Sequence, residues 1–317
     1  INSILENEER LPYSFFLNDE EIAINLQTLV SSQQLSVENI LRIVYRPQAV
    51  FRVNSVARCT ATLPGHEEAI LSVHFSADGQ KLASGSGDTT VRIWDVLTET
   101  PKITLRGHRD WVLSVAWSCC GTRIASAGMD HEVRIWNAEN GTPINRALKG
   151  HTKPVTALVW EPMLYDPWPR RLASASKDYT IRIWDTIRGV SLFCLSGHTQ
   201  PIRALKWGGQ GLLYSGGQDR NIIAWNVKEK KVFAQMPGHA LWVNTLALNG
   251  DYALRQGCFT HTGSGHELSA DERQIVAKNR YDTITKTIGE LLVSGSDDFT
   301  LHLWDPLKTR KPLQRMT

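Results

Sequence analysis

Five times along the chain a Gly-His dipeptide is followed by a turn aspartate and a tryptophan, at similar distance in four units and across a long insertion in the fifth. The sets are His66, Asp88 and Trp94; His108, Asp130 and Trp136; His151, Asp178 and Trp184; His198, Asp219 and Trp225; and His239, Asp298 and Trp304. Each unit also carries a strand serine. Histidine, serine and aspartate together are the residue types of nucleophilic acyl transfer, in which imidazole takes the hydroxyl proton and a carboxylate orients the imidazole. Repetition argues against that chemistry. A catalytic triad occurs once and opens on a cleft, whereas this set returns in every unit at the same place. No Walker loop, no Gly-x-Gly-x-x-Gly after a strand and no His-Glu-x-x-His motif accompanies it. His261 and His266 lie in a Gly/Ser/Thr-rich stretch with no cysteine or carboxylate at zinc spacing.

The elements that must hold these residues follow from the period. Successive Gly-His histidines lie 42, 43, 47 and 41 residues apart, and the tryptophan is followed by Asp or Asn each time. That is the repeat length and signature of a four-stranded WD-repeat blade, so the chain is read as an all-β propeller. In the first unit the segment after Ala69 alternates as a strand and Asp78-Gly79 is a hairpin turn. Lys81 to Ser86 and Thr90 to Trp94 are the next two strands, and Asp88 sits in the turn between them. Resemblance to WD-repeat proteins implies that histidine, serine, aspartate and tryptophan hydrogen-bond in one chain that ties the blade together.

Composition fits a non-catalytic scaffold. The chain has 317 residues, 42% of them hydrophobic, enough for one large repeat domain and a smaller one. A net charge of +3 is too mild to argue nucleic-acid binding by itself. Five cysteines make an odd set without framework spacing, which points to reduced thiols. No apolar run approaches the ~20 residues of a membrane-spanning helix, so no membrane partner is expected. The chain begins at Ile1 without methionine, and no signal peptide is read.

The first 57 residues leave the period. Leu11 to Leu17 reads as a strand, Glu20 to Val30 as a helix, and Ile40 to Tyr45 and Ala49 to Val53 as two strands, a small α+β unit cut short at its N-terminal side. The stretch Leu41 to Val53, Arg58-Cys59-Thr60, Leu82 to Asp95, Trp207 to Ser215, Trp242-Val243-Asn244, Asp251 to Arg255 and Ser294 to Thr300 resemble the Notchless family of WD-repeat ribosome-assembly factors. The resemblance covers nearly the whole chain. It implies a partial ubiquitin-like domain over residues 1–57, then residues 58–317 as the first five blades of a presumed eight, standing as an open arc. The strand from Cys59 to Leu63, which would complete a last blade, is left without a partner.

Functionally the resemblance implies a nuclear and nucleolar, non-enzymatic assembly factor of the large (60S) ribosomal subunit. Its propeller docks on the pre-60S particle, and its ubiquitin-like domain is gripped by the midasin-type AAA ATPase. There a glutamate completes the coordination of Mg²⁺ in the partner's adhesion site; the chain binds no cofactor alone and takes no small-molecule substrate. Mg²⁺ demands oxygen ligands in octahedral geometry, so the handle must be a carboxylate. The acidic loop before Pro12 places it at Glu8, with Glu9 as the alternative. On spacing alone, these glutamates are a solvated acidic loop. The rival function is a generic adaptor, such as a ubiquitin-ligase substrate receptor or a Notch-signalling scaffold.

Two insertions interrupt the period. Residues 161–170 are a Pro-rich loop with exposed-looking Tyr165 and Trp168. Residues 251–290 carry a capping box at Ser269 to Glu272, which predicts a short helix. Trp111 and Trp242 replace the Ala or Pro found at this point in the other repeats, and so are candidate partner anchors. Trp117, Trp160 and Trp207 end inner strands and fit packing between blades. Lys153, Lys177, Arg109 and Arg203 are candidate phosphate contacts if they share one rim.

Overall fold

The computed structural model describes residues 13–17, 20–21, 43–47, 59, 62–168, 170–259, 265 and 267–316. Two compact units divide the chain, Ile1–Thr60 and Ala61–Thr317. In the first, strands β1 (Tyr13–Leu17), β2 (Glu20–Glu21) and β3 (Ile43–Pro47) form an antiparallel sheet in the order β2-β1-β3. The helix expected from Glu20 does not begin there: Glu20 and Glu21 pair with Leu17 and Phe16. Asn and Asp are turn-favouring residue types, and β2 runs antiparallel along β1 where the helix was expected. The rest of that expected helix, the Ala49 to Val53 strand, Glu8, Glu9 and both His261 and His266 lie outside the described residues.

The second unit is five sheets in chain order, each with antiparallel neighbours. The first is β4 (Ile70–Phe75), β5 (Lys81–Ser86), β6 (Thr90–Asp95) and β7 (Thr100–Arg106). The second is β8 (Val112–Trp117), β9 (Arg123–Gly128) and β10 (Val133–Asn137). The third is β11 (Val155–Trp160), β12 (Arg171–Ser176), β13 (Thr180–Asp185) and β14 (Val190–Ser196). The fourth is β15 (Ile202–Trp207), β16 (Leu212–Gly217), β17 (Asn221–Asn226) and β18 (Lys231–Pro237). The fifth is β19 (Val243–Leu248), β20 (Leu292–Ser296), β21 (Leu301–Trp304) and β22 (Gln314–Met316).

The second blade departs from the four-strand expectation. Its outer edge is reduced to two isolated bridges, Trp136 to Pro143 and Val133 to Leu148. Pro143 has no N–H to give the ladder, and Asn145 Nδ2 instead donates to the Thr186 carbonyl of the third blade at 2.6 Å. Of the strand expected from Cys59 to Leu63, the described residues Cys59, Thr62 and Leu63 belong to no strand.

Apolar seams join consecutive blades. Ala83, Val91, Ile93 and Leu105 of the first pack on Val112, Val115 and Trp117 of the second. The same face of the second takes Val155, Leu158 and Trp160 of the third, and the pattern continues through Ile202, Leu205 and Trp207 to Val243, Leu246 and Leu248. Each such side chain, fully buried, contributes about 1.5–3 kcal/mol. Among the described residues the first blade has no seam on its incoming side. Val73 is 57% and Phe75 44% exposed, whereas their counterparts Val115 and Trp117 are 3% and 4% exposed. On the outgoing side of the fifth blade Leu301 is 46% exposed, against 0% for its counterparts Val91, Val133, Ile181 and Ile222.

The two insertions pack on each other. Between β19 and β20 lie helices α1 (Asp251–Gln256) and α2 (Ala270–Ile288). Ser269 caps α2 with the full capping box: its hydroxyl accepts from Glu272 N, and the Glu272 carboxylate accepts from Ser269 N. The helix runs 19 residues, longer than the short one expected. Gln274 Nε2 of α2 donates to the Leu164 carbonyl at 2.9 Å, and Met163, Phe259 and Ala277 share a small core with Ala77, Cys119, Cys120 and Cys258. Among the described residues no helix is long and apolar enough to cross a membrane.

Candidate functional site

The repeated polar residues meet in one geometry in every blade. His66 Nε2 lies 2.7 Å from Ser84 Oγ, Trp94 Nε1 donates to the same oxygen at 2.8 Å, and His66 Nδ1 lies 2.7 Å from Asp88 Oδ2. The serines of the other four are Ser126, Ser174, Ser215 and Ser294, each 2.7 Å from its histidine. Their aspartates, Asp130, Asp178, Asp219 and Asp298, lie 2.7, 2.8, 2.8 and 3.0 Å from His108, His151, His198 and His239. Trp136, Trp184, Trp225 and Trp304 complete the sets through their indole N–H groups.

The chemistry of this arrangement is structural. All five serines are essentially solvent-inaccessible, and each hydroxyl is held between an imidazole and an indole, so no substrate carbonyl can reach it. Burial pushes the Asp178 carboxyl upward, but hydrogen bonds from His151, the Thr180 hydroxyl and the Thr152 N–H outweigh it and hold the group well below the ordinary carboxylate range. Asp88 and Asp298 are held down in the same way. The glycine before each histidine has its own cause. A Cβ on Gly65 would come within 2.8 Å of both Arg92 and the Trp94 indole, and Gly107 and Gly150 stand likewise against Arg134 with Trp136 and Arg182 with Trp184.

The fifth blade varies the theme. His302 replaces that arginine and stacks on His239, ring centroids 4.0 Å apart and 11° from parallel. Burial, followed by the nearby His239, lowers the His302 pKa.

On the rim where the Gly-His turns lie, Trp111 and Trp242 are 48% and 43% exposed. Arg203 lies over the Trp242 ring at 5.3 Å, and Lys153 over the Tyr179 ring at 4.9 Å. Lys177 and Arg203 line one cavity of about 350 Å³ with Thr156, Gln218 and Asn244. Trp117, Trp160 and Trp207 are buried between blades. Trp168 is partly exposed under Arg273, but Tyr165 is not the exposed ring its Pro-rich loop suggested: its hydroxyl donates to the Gly209 carbonyl at 2.6 Å, and burial raises its pKa.

Periodicity could not find Glu290. Its buried carboxylate accepts from the Tyr214 hydroxyl at 2.8 Å, the Tyr281 hydroxyl at 2.6 Å and the Gly209 N–H at 2.7 Å. A side chain on Gly209 would collide with the Tyr281 ring. The only local signal was Gly208-Gly209 after an inner-strand tryptophan. Among the described residues no three His, Cys, Asp or Glu side chains stand close enough to hold a metal, and burial drives the Cys119 thiol well above its ordinary pKa.

Five successive antiparallel sheets, four of them four-stranded and each locked by a His–Ser–Trp–Asp set, define a WD-repeat propeller. The profile of the family "WD domain, G-beta repeat" matches residues 57–95, 99–137, 141–185, 189–226 and 287–305. Protein Notchless of Drosophila melanogaster is 48% identical over the whole of this chain and 65% of its own length, and the Notchless protein homolog of Arabidopsis thaliana is 45% identical over the whole chain and 67% of its own. Ribosome assembly protein 4 of Saccharomyces cerevisiae is 43% identical over 94% of this chain and 59% of its own length. Within the WD-repeat class, the chain therefore belongs to the Notchless family. It spans about two thirds of the length of the curated relatives it matches. The solved structure of U3-55K shares the fold, with a TM-score of 0.63 at 20% identity over 80% of this chain and 66% of that one.

Proposed function

We propose that this chain is a non-enzymatic assembly factor of the large ribosomal subunit, acting in the nucleus and nucleolus. Its propeller docks on the pre-60S particle, and its N-terminal unit offers a carboxylate to a midasin-type AAA ATPase. The observation that carries the reading is chain-long identity to proteins named Notchless and ribosome assembly protein 4. Burial of all five serines of the repeated sets supports the non-enzymatic part.

In this reading Glu8, with Glu9 as the alternative, completes the shell of a Mg²⁺ held by the partner, where the charge and hardness of a carboxylate oxygen suit the ion. The full-length protein is expected to co-sediment with pre-60S particles; sedimentation only with small complexes would favour an adaptor instead. Glu8→Ala and Glu8→Asp are both expected to abolish metal-dependent ATPase binding, because losing one methylene withdraws the oxygen by more than the ~0.2 Å a metal bond tolerates. The variants should still load onto particles and then fail to leave. Loss of binding in Glu9→Ala but not in Glu8→Ala moves the role to the neighbour, and EDTA-insensitive wild-type binding removes the metal from the mechanism.

A further inference from the structure

We infer that the rim formed by the third, fourth and fifth blades is a binding surface for single-stranded RNA, with Lys153, Lys177 and Arg203 taking phosphates and Trp242 taking a base. The inference rests on the pre-ribosomal reading and names the chemistry by which the propeller would dock.

Two independent features of the rim carry it. The first is the state of its cations. Several lysines and arginines elsewhere in the propeller pair with carboxylates: Lys206 with Asp251, Arg171 with Glu161, Arg134 and Lys149 with Glu132, Lys308 with Asp305. Among the described residues, neither Lys153 nor Lys177 nor Arg203 has a carboxylate partner. Lys153 and Arg203 lie instead over aromatic rings, Tyr179 and Trp242, and with its amide oxygen turned inward Gln218, a neutral group, accepts from Arg203 at 3.2 Å. Such cations keep their charge available to a phosphate.

The second feature is that the residues are contiguous. Lys177 and Tyr179 share one turn of the third blade, where Lys177 N donates to the Pro154 carbonyl beside Lys153. Lys177 and Arg203 face the same cavity, which no carboxylate lines. Trp242 continues the band onto the fifth blade, half its surface open. Cations that follow a backbone, interleaved with an exposed ring on which a base can stack, are how proteins hold single strands without sequence preference. An acidic peptide would use the charges but leave the indole idle.

The test is fluorescence anisotropy of a labelled 12-nucleotide RNA with the chain across a salt series. Wild-type binding should weaken steeply with salt, and Lys177→Gln combined with Arg203→Gln should lower the log–log slope by about 1.4, at ~0.7 per phosphate contact in a single strand. Trp242→Ala should weaken binding about tenfold, within the range for a lost stacking platform, with the melting temperature unchanged. No binding at low salt, variants with wild-type affinity and slope, or displacement of the RNA by a polyglutamate peptide at equal charge would each overturn the proposal. Co-sedimentation of the wild type with pre-60S particles separates the two readings. Particle binding without RNA binding defeats the RNA surface alone, and absence from particles defeats the functional reading beneath it.

Discussion

At the scale of single residues, the polar sets hold each blade by satisfying groups that the fold has buried. Asp178 accepts from His151, Thr152 and Thr180, so Asp178→Ala should cost about 1–3 kcal/mol by stranding buried donors. An unchanged melting temperature would refute a structural role in that blade. Gly128 makes a sharper case. Ser86, Ser176 and Ser296 occupy its position in three other blades, yet a Cβ on Gly128 would strike the Trp111 carbonyl oxygen. Gly128→Ser should therefore lower the melting temperature, although the repeat consensus recommends it. Two histidines, one in the fifth blade and one in the first, carry a pH dependence. His302 is buried with a lowered pKa and His74 is held at about 4, in both cases first by desolvation. The unfolded chain takes up protons below about pH 6.5 that these two folded sites refuse, so stability should fall as pH drops through that window. The tetrad aspartates act lower: their depressed pKa values add stability that is full above about pH 4 and lost on further acidification. Thermal melts of His302→Arg, which restores the residue of the first three blades, should show a shallower decline as pH falls below about 6.5; an identical slope would assign the dependence elsewhere.

At the scale of elements, what could be read in advance was whatever repeats. The inner strands, the turn aspartates and the serine-bearing second strands recur with the period, and five copies of one pattern correct each other. The capping box at Ser269 was legible because it is a four-residue local signal. The missing outer strand of the second blade was not, because Pro143 and Asn145 act through a ladder bond not made and a hydrogen bond to another blade. Nor was the junction of the insertions, since Glu290 bonds residues 76 and 81 positions away and no local pattern encodes such a contact. That junction predicts its own weak point. Glu290→Gln keeps the shape but replaces one acceptor oxygen by a donor, facing Tyr214, Tyr281 and the Gly209 N–H. The amide N–H₂ can donate to a tyrosine oxygen, but that hydroxyl then loses the acceptor for its own proton, at a cost of about 1–3 kcal/mol. Hydrogen exchange should quicken along α2 while β8 and β9 stay protected; equal protection of α2 in both proteins would show that packing alone holds the insertion.

At the scale of the whole propeller unit, each blade lends its neighbour one apolar face, and the two end blades keep a face unlent. Ile70, Val73 and Phe75 on β4, and Leu301 on β21, are large apolar side chains exposed where their counterparts in the other seams are buried. Burying one such side chain fully is worth about 1.5–3 kcal/mol, so a surface able to cover several at once gains enough to drive association. The two faces also belong to one repeating pattern: the outgoing side of one blade is built to receive the incoming side of the next. Contact between the Leu301 face of one molecule and the Val73 face of another would therefore be heterologous and would not exhaust itself at a dimer. The chain is expected to self-associate with rising concentration, seen in sedimentation velocity as a broadening series rather than one discrete larger species. Val73→Lys with Phe75→Glu should return it to the monomer without lowering the melting temperature, because these side chains support no seam within the molecule. Leu301→Lys alone should do the same from the opposite end. Persistence of the series in both variants would mean that association runs through another surface, with the exposed rim of Trp111 and Trp242 next to be tested.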